Sequence, residues 1–219
     1  MHMIDKMALV TTLERNSLIL VQKSLYARNL NLYKHSILTA EIAKDIVVGT
    51  DKDFGISPTQ AYLAGMLHDV GKLFIQDRIL DKRHPLTERE WEVMEKHPAW
   101  GHDYVKGTVF EHYGDVILHH HKRPDGSGYP KGLASKELDE RVRLISAADK
   151  IAAFIEDRPY RRRIPHTELI YQEVRSVAES LFDDEKAETI IATVMGAVAM
   201  DRWSPLRKEQ FSAIAWREL

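Results

Sequence analysis

Apolar positions along this chain recur mostly at steps of three and four, the spacing of one face of an α-helix. Between His35 and Val47 the stripe is Leu38, Ile42 and Ile46. Ala61–Leu67 is short and almost unbroken in its apolar character, and Gly71 is expected to stop it just after His68 and Asp69. Thr87 with Glu90 three residues on predicts a capping box, and the helix it opens is expected to run through Trp91 and Met94 and end at His97. A further helix is predicted over Val109–His121, its last residues being three consecutive histidines. Three glycines and two prolines between Pro124 and Leu133 mark a loop. The helical period resumes over Arg141–Ile155 with Val142, Ile145, Ala148 and Ala152. Two amphipathic helices follow at about Glu168–Phe182 and Glu185–Met200, and a short last one is predicted over Pro205–Leu219. Period-two strand patterns and internal repeats are absent, so the expected fold is all-α, one domain over residues 1–219 with the C-terminal helices packed on the core.

Composition narrows what such a bundle can do. The 219 residues carry a net charge of -2, which gives no electrostatic case for DNA, RNA or an anionic membrane as partner. No apolar run approaches the ~20 residues that span a bilayer, and Met1–Asp5 lacks the features of a signal peptide, so the expected location is the cytoplasm. With no cysteine, any metal must be held by nitrogen and oxygen. No Gly-x-Ser-x-Gly elbow or Walker-type loop is present either. Histidine is the unusual residue, with eleven copies.

Position gives those histidines meaning. His35 shares the inward face of Leu38, Ile42 and Ile46; alone it reads as a core histidine bonded to a carbonyl. Asp69 alone reads as a loop cap, and Lys72 alone as a solvated lysine. Asp149 lies on the inward side of its helix, where an unpaired carboxylate is expensive to bury unless a cation meets it. Three consecutive histidines after Val116, Ile117 and Leu118 do not suit a solvated face, although their directions differ too much for all three to reach one point. Together, His35, His68, Asp69, His97, His120, His121 and Asp149 form a helix-borne nitrogen/oxygen donor set that suits two metal ions, with Asp69 bridging them. Two divalent ions ~3.5–4 Å apart can hold a bridging hydroxide and neutralise a phosphoryl group during in-line attack. Lys72, three residues after the bridge, is placed to meet phosphate as a point charge.

The motifs His68-Asp69-Val70-Gly71-Lys72, His97-Pro98-x-x-Gly101 and His120-His121-x-x-x-Asp125-Gly126-Ser127-Gly128-Tyr129-Pro130, followed by Ala148-Asp149 and Arg158-Pro159-Tyr160-Arg161, resemble those of the HD-GYP family. This is a branch of the HD phosphohydrolases, and the resemblance runs in order from about Tyr33 to Arg163. It implies an HD-domain-like helical bundle and hydrolysis of cyclic di-GMP to pGpG or GMP. It also implies a centre of two or three metals, often iron or manganese. Carried over by position, the metal ligands are the seven residues above, Asp69 and Lys72 act in catalysis, and Lys72, Arg158 and Arg161 contact substrate. Arg161-Arg162-Arg163 also reads as a solvated basic run. In the Gly126–Pro130 loop, Tyr129 is expected either to stack on a base or meet a regulatory partner protein, or else to form a rigid pocket rim.

Three positions depart from the family pattern. Asn31 stands where a glutamate commonly helps to hold a third metal, which favours two ions. Lys122 reverses a common glutamate and is expected near the site mouth, and Ala152-Ala153 replaces a common Asp-Ala. The segment before Tyr33 is too short for a full sensory domain, so regulation is expected from elsewhere. Two alternatives stay open: a phosphohydrolase for another cyclic dinucleotide or nucleotide, and a non-catalytic binding module with a vestigial site.

Overall fold

The computed structural model describes residues 3–130, 138–156 and 166–204, with side chains from residue 12 onward. The described residues form ten α-helices in chain order: α1 Met3–Arg28, α2 Leu30–Gly49, α3 Pro58–Leu67, α4 Asp77–Leu80, α5 Glu88–Met94, α6 His97–Val105, α7 Gly114–His119, α8 Glu140–Ile155, α9 Thr167–Leu181 and α10 Asp184–Ala199. Among the described residues there is no strand, only one isolated antiparallel bridge between Lys122 and Gly128. No helix of the described residues is long and apolar enough to cross a membrane.

The centre is α2, α3 and α8. Leu38, Ile42 and Ile46 of α2 are fully buried, as their spacing predicts. So are Ala61, Ala64, Met66 and Leu67 of α3, and Leu144, Ile145, Ala148 and Ile155 of α8. Removing each such leucine or isoleucine from water is worth about 1.5–3 kcal/mol, which makes this seam the main source of stability. The pair α9 and α10 covers it from one side with Ile170, Val174, Leu181, Ile190 and Val194. Trp203 Nε1 then donates to the buried Asp45 Oδ2 at 3.0 Å and ties the far end of that pair to α2. The predicted helix over 205–219 lies outside the described residues.

Helix starts follow local chemistry. Asn29 accepts from Leu32 N–H and separates α2 from α1. The capping box at Thr87 is present, with Glu90 Oε2 accepting from Thr87 N–H at 2.7 Å. An equivalent box at Ser57 and Gln60 opens α3.

Two predicted boundaries are corrected. The helix opened by Thr87 stops at Met94, and His97 begins the next one. Pro98 is the cause: it has no N–H for the Met94 carbonyl, and its ring would collide there, so the helix must restart with Pro98 in its first turn. The segment 109–121 is likewise not one helix. It divides into a 3₁₀ turn at Glu111–Tyr113 and the short α7 starting at Gly114.

Candidate metal centre

The His68-Asp69 pair sits where α3 ends. His68 is the C-cap of α3, and Asp69 opens a 3₁₀ turn over Val70–Phe74. Gly71 does more than stop a helix. A Cβ there would lie 1.9 Å from the His97 carbonyl oxygen, so only glycine lets this turn press against α6. Arg28, the last residue of α1, donates to the Leu73 and Ile75 carbonyls and holds the turn from its other side.

All seven predicted donors converge. His68, Asp69, His97, His120 and Asp149 are buried, while His35 and His121 are partly buried. They fall into two groups, His35, His68 and Asp149 in one, and Asp69, His97, His120 and His121 in the other. The two oxygens of Asp69 divide between them. Oδ2 lies 3.3 Å from His68 Nε2 and 3.7 Å from His35 Nε2. Oδ1 lies 3.1 Å from His97 Nε2 and 3.8 Å from His120 Nε2. Asp149 is also shared, with Oδ1 3.0 Å from His35 Nε2 and Oδ2 3.9 Å from His121 Nδ1. His119 stays outside both groups.

Three of these imidazoles are aimed by one local device. His68, His97 and His120 each follow by three residues a carbonyl in the last turn of a helix. Their Nδ1–H groups donate to Gly65 O at 2.6 Å, Met94 O at 2.7 Å and Ile117 O at 2.8 Å. For Met94 this is the acceptor that Pro98 leaves without its usual donor. With Nδ1 protonated, each Nε2 is a lone pair pointing into the cluster.

That geometry fits a metal ion. His97 and His120 bring Nε2 atoms within 3.4 Å of each other, and both face carboxylate oxygens. His68 Nε2, Asp69 Oδ1 and His121 Nε2 are buried without a hydrogen-bond partner. Acceptors facing acceptors in a buried site call for a cation. The electrostatics agree. Burial pushes His97 down, burial and the neighbouring His121 push His120 well down, and burial carries His121 to about 3. These imidazoles are neutral, as ligands must be. Burial opposes the charge on Asp69 and Asp149, but the Lys72 ammonium beside the first, and His35 beside the second, hold both carboxyls well below the usual range. His35 differs. Burial opposes its proton too, yet the Glu156 and Asp149 carboxylates outweigh it and push His35 up to about 10. A metal ion there would take the place of that proton.

The cluster floors a cavity of about 890 Å³. Lys72 reaches it, its Nζ 2.6 Å from Asp69 Oδ2. Tyr129 lines it and stacks on His121 with ring centroids 4.5 Å apart. The loop behind Tyr129 turns through Gly128 at φ 88°, where a Cβ would meet the His121 carbonyl at 2.1 Å. Arg158 and Arg161 lie outside the described residues. Lys122 corrects an expectation. It is buried rather than at the mouth and does not line the cavity, because the bridge to Gly128 draws its backbone beneath the loop. Sequence reasoning missed Glu156, whose Oε1 is 2.6 Å from His35 Nδ1. A signal for it exists: Glu156 stands seven residues, two helical turns, beyond Asp149. Trp91, Arg83, Arg123 and Lys150 on the cavity wall carry no such periodic clue.

An HD domain family model matches residues 20–185, most of the chain. The chain belongs to the HD domain family. The match takes in all five helices that carry donors, and the resemblance to the HD-GYP branch stands with it. This HD domain is 34% identical over 136 residues to a cyclic di-GMP phosphodiesterase of Thermotoga maritima, covering 61% of this chain and 37% of that protein. It is 30% identical over 167 residues to 3'3'-cGAMP-specific phosphodiesterase 1 of Vibrio cholerae, covering 73% of this chain and 37% of that protein. The chain thus spans little more than a third of each relative. In fold it is similar to the HD domain of the L. monocytogenes phosphodiesterase PgpH, solved with cyclic-di-AMP, at a TM-score of 0.63 and 15% identity over 83% of this chain and 96% of that one. The all-α HD fold is therefore shared.

Proposed function

We propose that this HD domain is a metal-dependent phosphodiesterase that hydrolyses cyclic di-GMP to pGpG or GMP. The observation that carries the proposal is the convergence of unpartnered imidazole nitrogens on two buried aspartates at the floor of an open cavity. His35, His68 and Asp149 would hold one ion and His97, His120 and His121 a second, with Asp69 between them. Two divalent ions bound there would activate water and neutralise charge on a phosphoryl group. Nitrogen and oxygen donors without thiolate suit iron or manganese.

The chain's own residues bind and orient the substrate. The cavity volume lies within the ~300–1,000 Å³ common for small-molecule sites. Lys72 sets its ammonium beside Asp69 at the cavity wall, where it can meet a phosphoryl oxygen as a point charge. Tyr129 and Trp91 offer ring faces for bases to stack on, and Arg83, Arg123 and Lys150 add positive charge. Arg158 and Arg161 are proposed as further phosphate or guanine contacts. Asn31 lines the cavity as a neutral side chain, in keeping with two ions rather than three. A regulatory protein could reach the centre through the Gly126–Pro130 loop, because Tyr129 rests directly on His121.

A second reading has its own support. The Vibrio cholerae relative that matches 73% of this chain is named as specific for 3'3'-cGAMP. Manganese- or iron-loaded protein incubated with cyclic di-GMP, 3'3'-cGAMP and cyclic di-AMP, with products separated by chromatography, decides between them. Turnover of cyclic di-GMP well above the other two is expected. Faster turnover of 3'3'-cGAMP replaces the first reading with the second, and no turnover of any leaves a binding module.

A further inference from the structure

The four histidines whose Nε2 atoms face the aspartates are not held alike. His68, His97 and His120 give Nδ1–H to neutral backbone carbonyls. His35 lies inside α2, where helix carbonyls are engaged by the helix itself, and its Nδ1 meets the Glu156 carboxylate at 2.6 Å. Glu156 is the C-cap of α8, on the same side of that helix as Asp149, so both nitrogens of one ring are gripped by carboxylates of one element. The donor sets differ as well. The His35 half has two imidazoles with Asp149 and Asp69 Oδ2; the other half has three imidazoles with Asp69 Oδ1. Glu156 adds a further negative charge behind the half that already has more. A carboxylate on the outer nitrogen of a ligating histidine fixes its direction and raises its basicity.

We propose that Glu156 is a positioning residue that makes the two metal positions unequal: through His35 it causes the position at His35, His68 and Asp149 to hold its ion more tightly than the position at His97, His120 and His121. The inference rests on the metal-dependent reading of the site. It is tested by stripping the protein with a chelator and titrating Mn²⁺ calorimetrically into wild type, Glu156→Gln and Glu156→Ala, with thermal unfolding of each stripped protein as a check on folding. Wild type is expected to bind in two classes of unequal affinity. Gln keeps an oxygen for the His35 Nδ1–H but no charge, and should weaken the tighter class about 10-fold. Ala should weaken it by up to about 100-fold, with the weaker class unmoved in both variants. Two bound ions whose affinities ignore both substitutions would overturn the inference and leave the metal-dependent reading intact. So would equal weakening of both classes, which marks a purely structural role. A wild type that holds no Mn²⁺ would overturn both.

Discussion

The helix-end histidines and the mid-helix pair reach the same centre by different physics. His68, His97 and His120 are aimed by a carbonyl three residues earlier in their own segment. Each direction is set by a few consecutive residues, and the tertiary fold has only to bring three helix ends together. His35 and Asp149 stand inside α2 and α8 and meet each other, and His35 depends on Glu156 as well. Asp69 stands between the two arrangements and faces both. Local backbone geometry should therefore make the first set tolerant of distant change, whereas the second should fail whenever the packing of α2 on α8 shifts.

The hardest blow to both sets is Asp69→Ala. Metal content measured by plasma mass spectrometry should fall below one ion per chain, and hydrolysis should drop by on the order of 10³-fold, as several kcal/mol of metal-assisted stabilisation is lost. Gly71→Ala strikes the helix-end set alone, since its Cβ would overlap the His97 carbonyl. A loss of about 3 kcal/mol in denaturant unfolding is expected, with His97 displaced from the cluster. Pro98→Ala isolates the aiming device. It supplies an N–H that competes for Met94 O, so Mn²⁺ affinity should fall about 10-fold while the fold stays as stable as before. An affinity unchanged in this variant would show that the carbonyl does not aim His97. Thr87→Ala tests the tolerance of that set. Loss of the cap at the start of α5 should cost about 1 kcal/mol in thermal unfolding and leave metal affinity alone.

The same cap carries a small pH signature. The Lys82 ammonium and the Thr87 hydrogen bonds hold Glu90 down at about 2. A carboxyl depressed on folding stabilises above its unfolded value near 4.5, and that contribution is lost as pH falls from there towards 2. Unfolding followed across this range should lose the extra acid sensitivity in Glu90→Gln.

The donors are legible in the sequence because a histidine or aspartate on an inward helical face is costly to bury without a partner, and because their order along the chain matches a family pattern. The seams of α2, α8, α9 and α10 are legible from period alone. The long α1 is not: Leu18, Val21 and Leu25 form one buried face, but Leu13 and Leu20 are exposed on others and blur the stripe. The His97 boundary is hard to place because a proline marks the end of one helix and the first turn of the next equally well. Lys122 defeats sequence reasoning because its burial depends on a loop bridge that no local pattern encodes. Glu156 escapes it because it lies at the C-cap of α8 and in none of the family motifs, so only its two-turn spacing from Asp149 points to it.

The spread of the donors along the chain has a consequence for how the protein is made. His35 and Asp149, in contact at 3.0 Å, are 114 residues apart, so their pairing closes a long loop. A nascent chain that has not yet released α8 carries the histidines of the His97 set but lacks Asp149 and Glu156. Tight metal capture is therefore expected only after synthesis has passed α8 and the helix has docked, which would make acquisition of the full metal complement a late event in maturation and a direct measure of how many chains have finished folding.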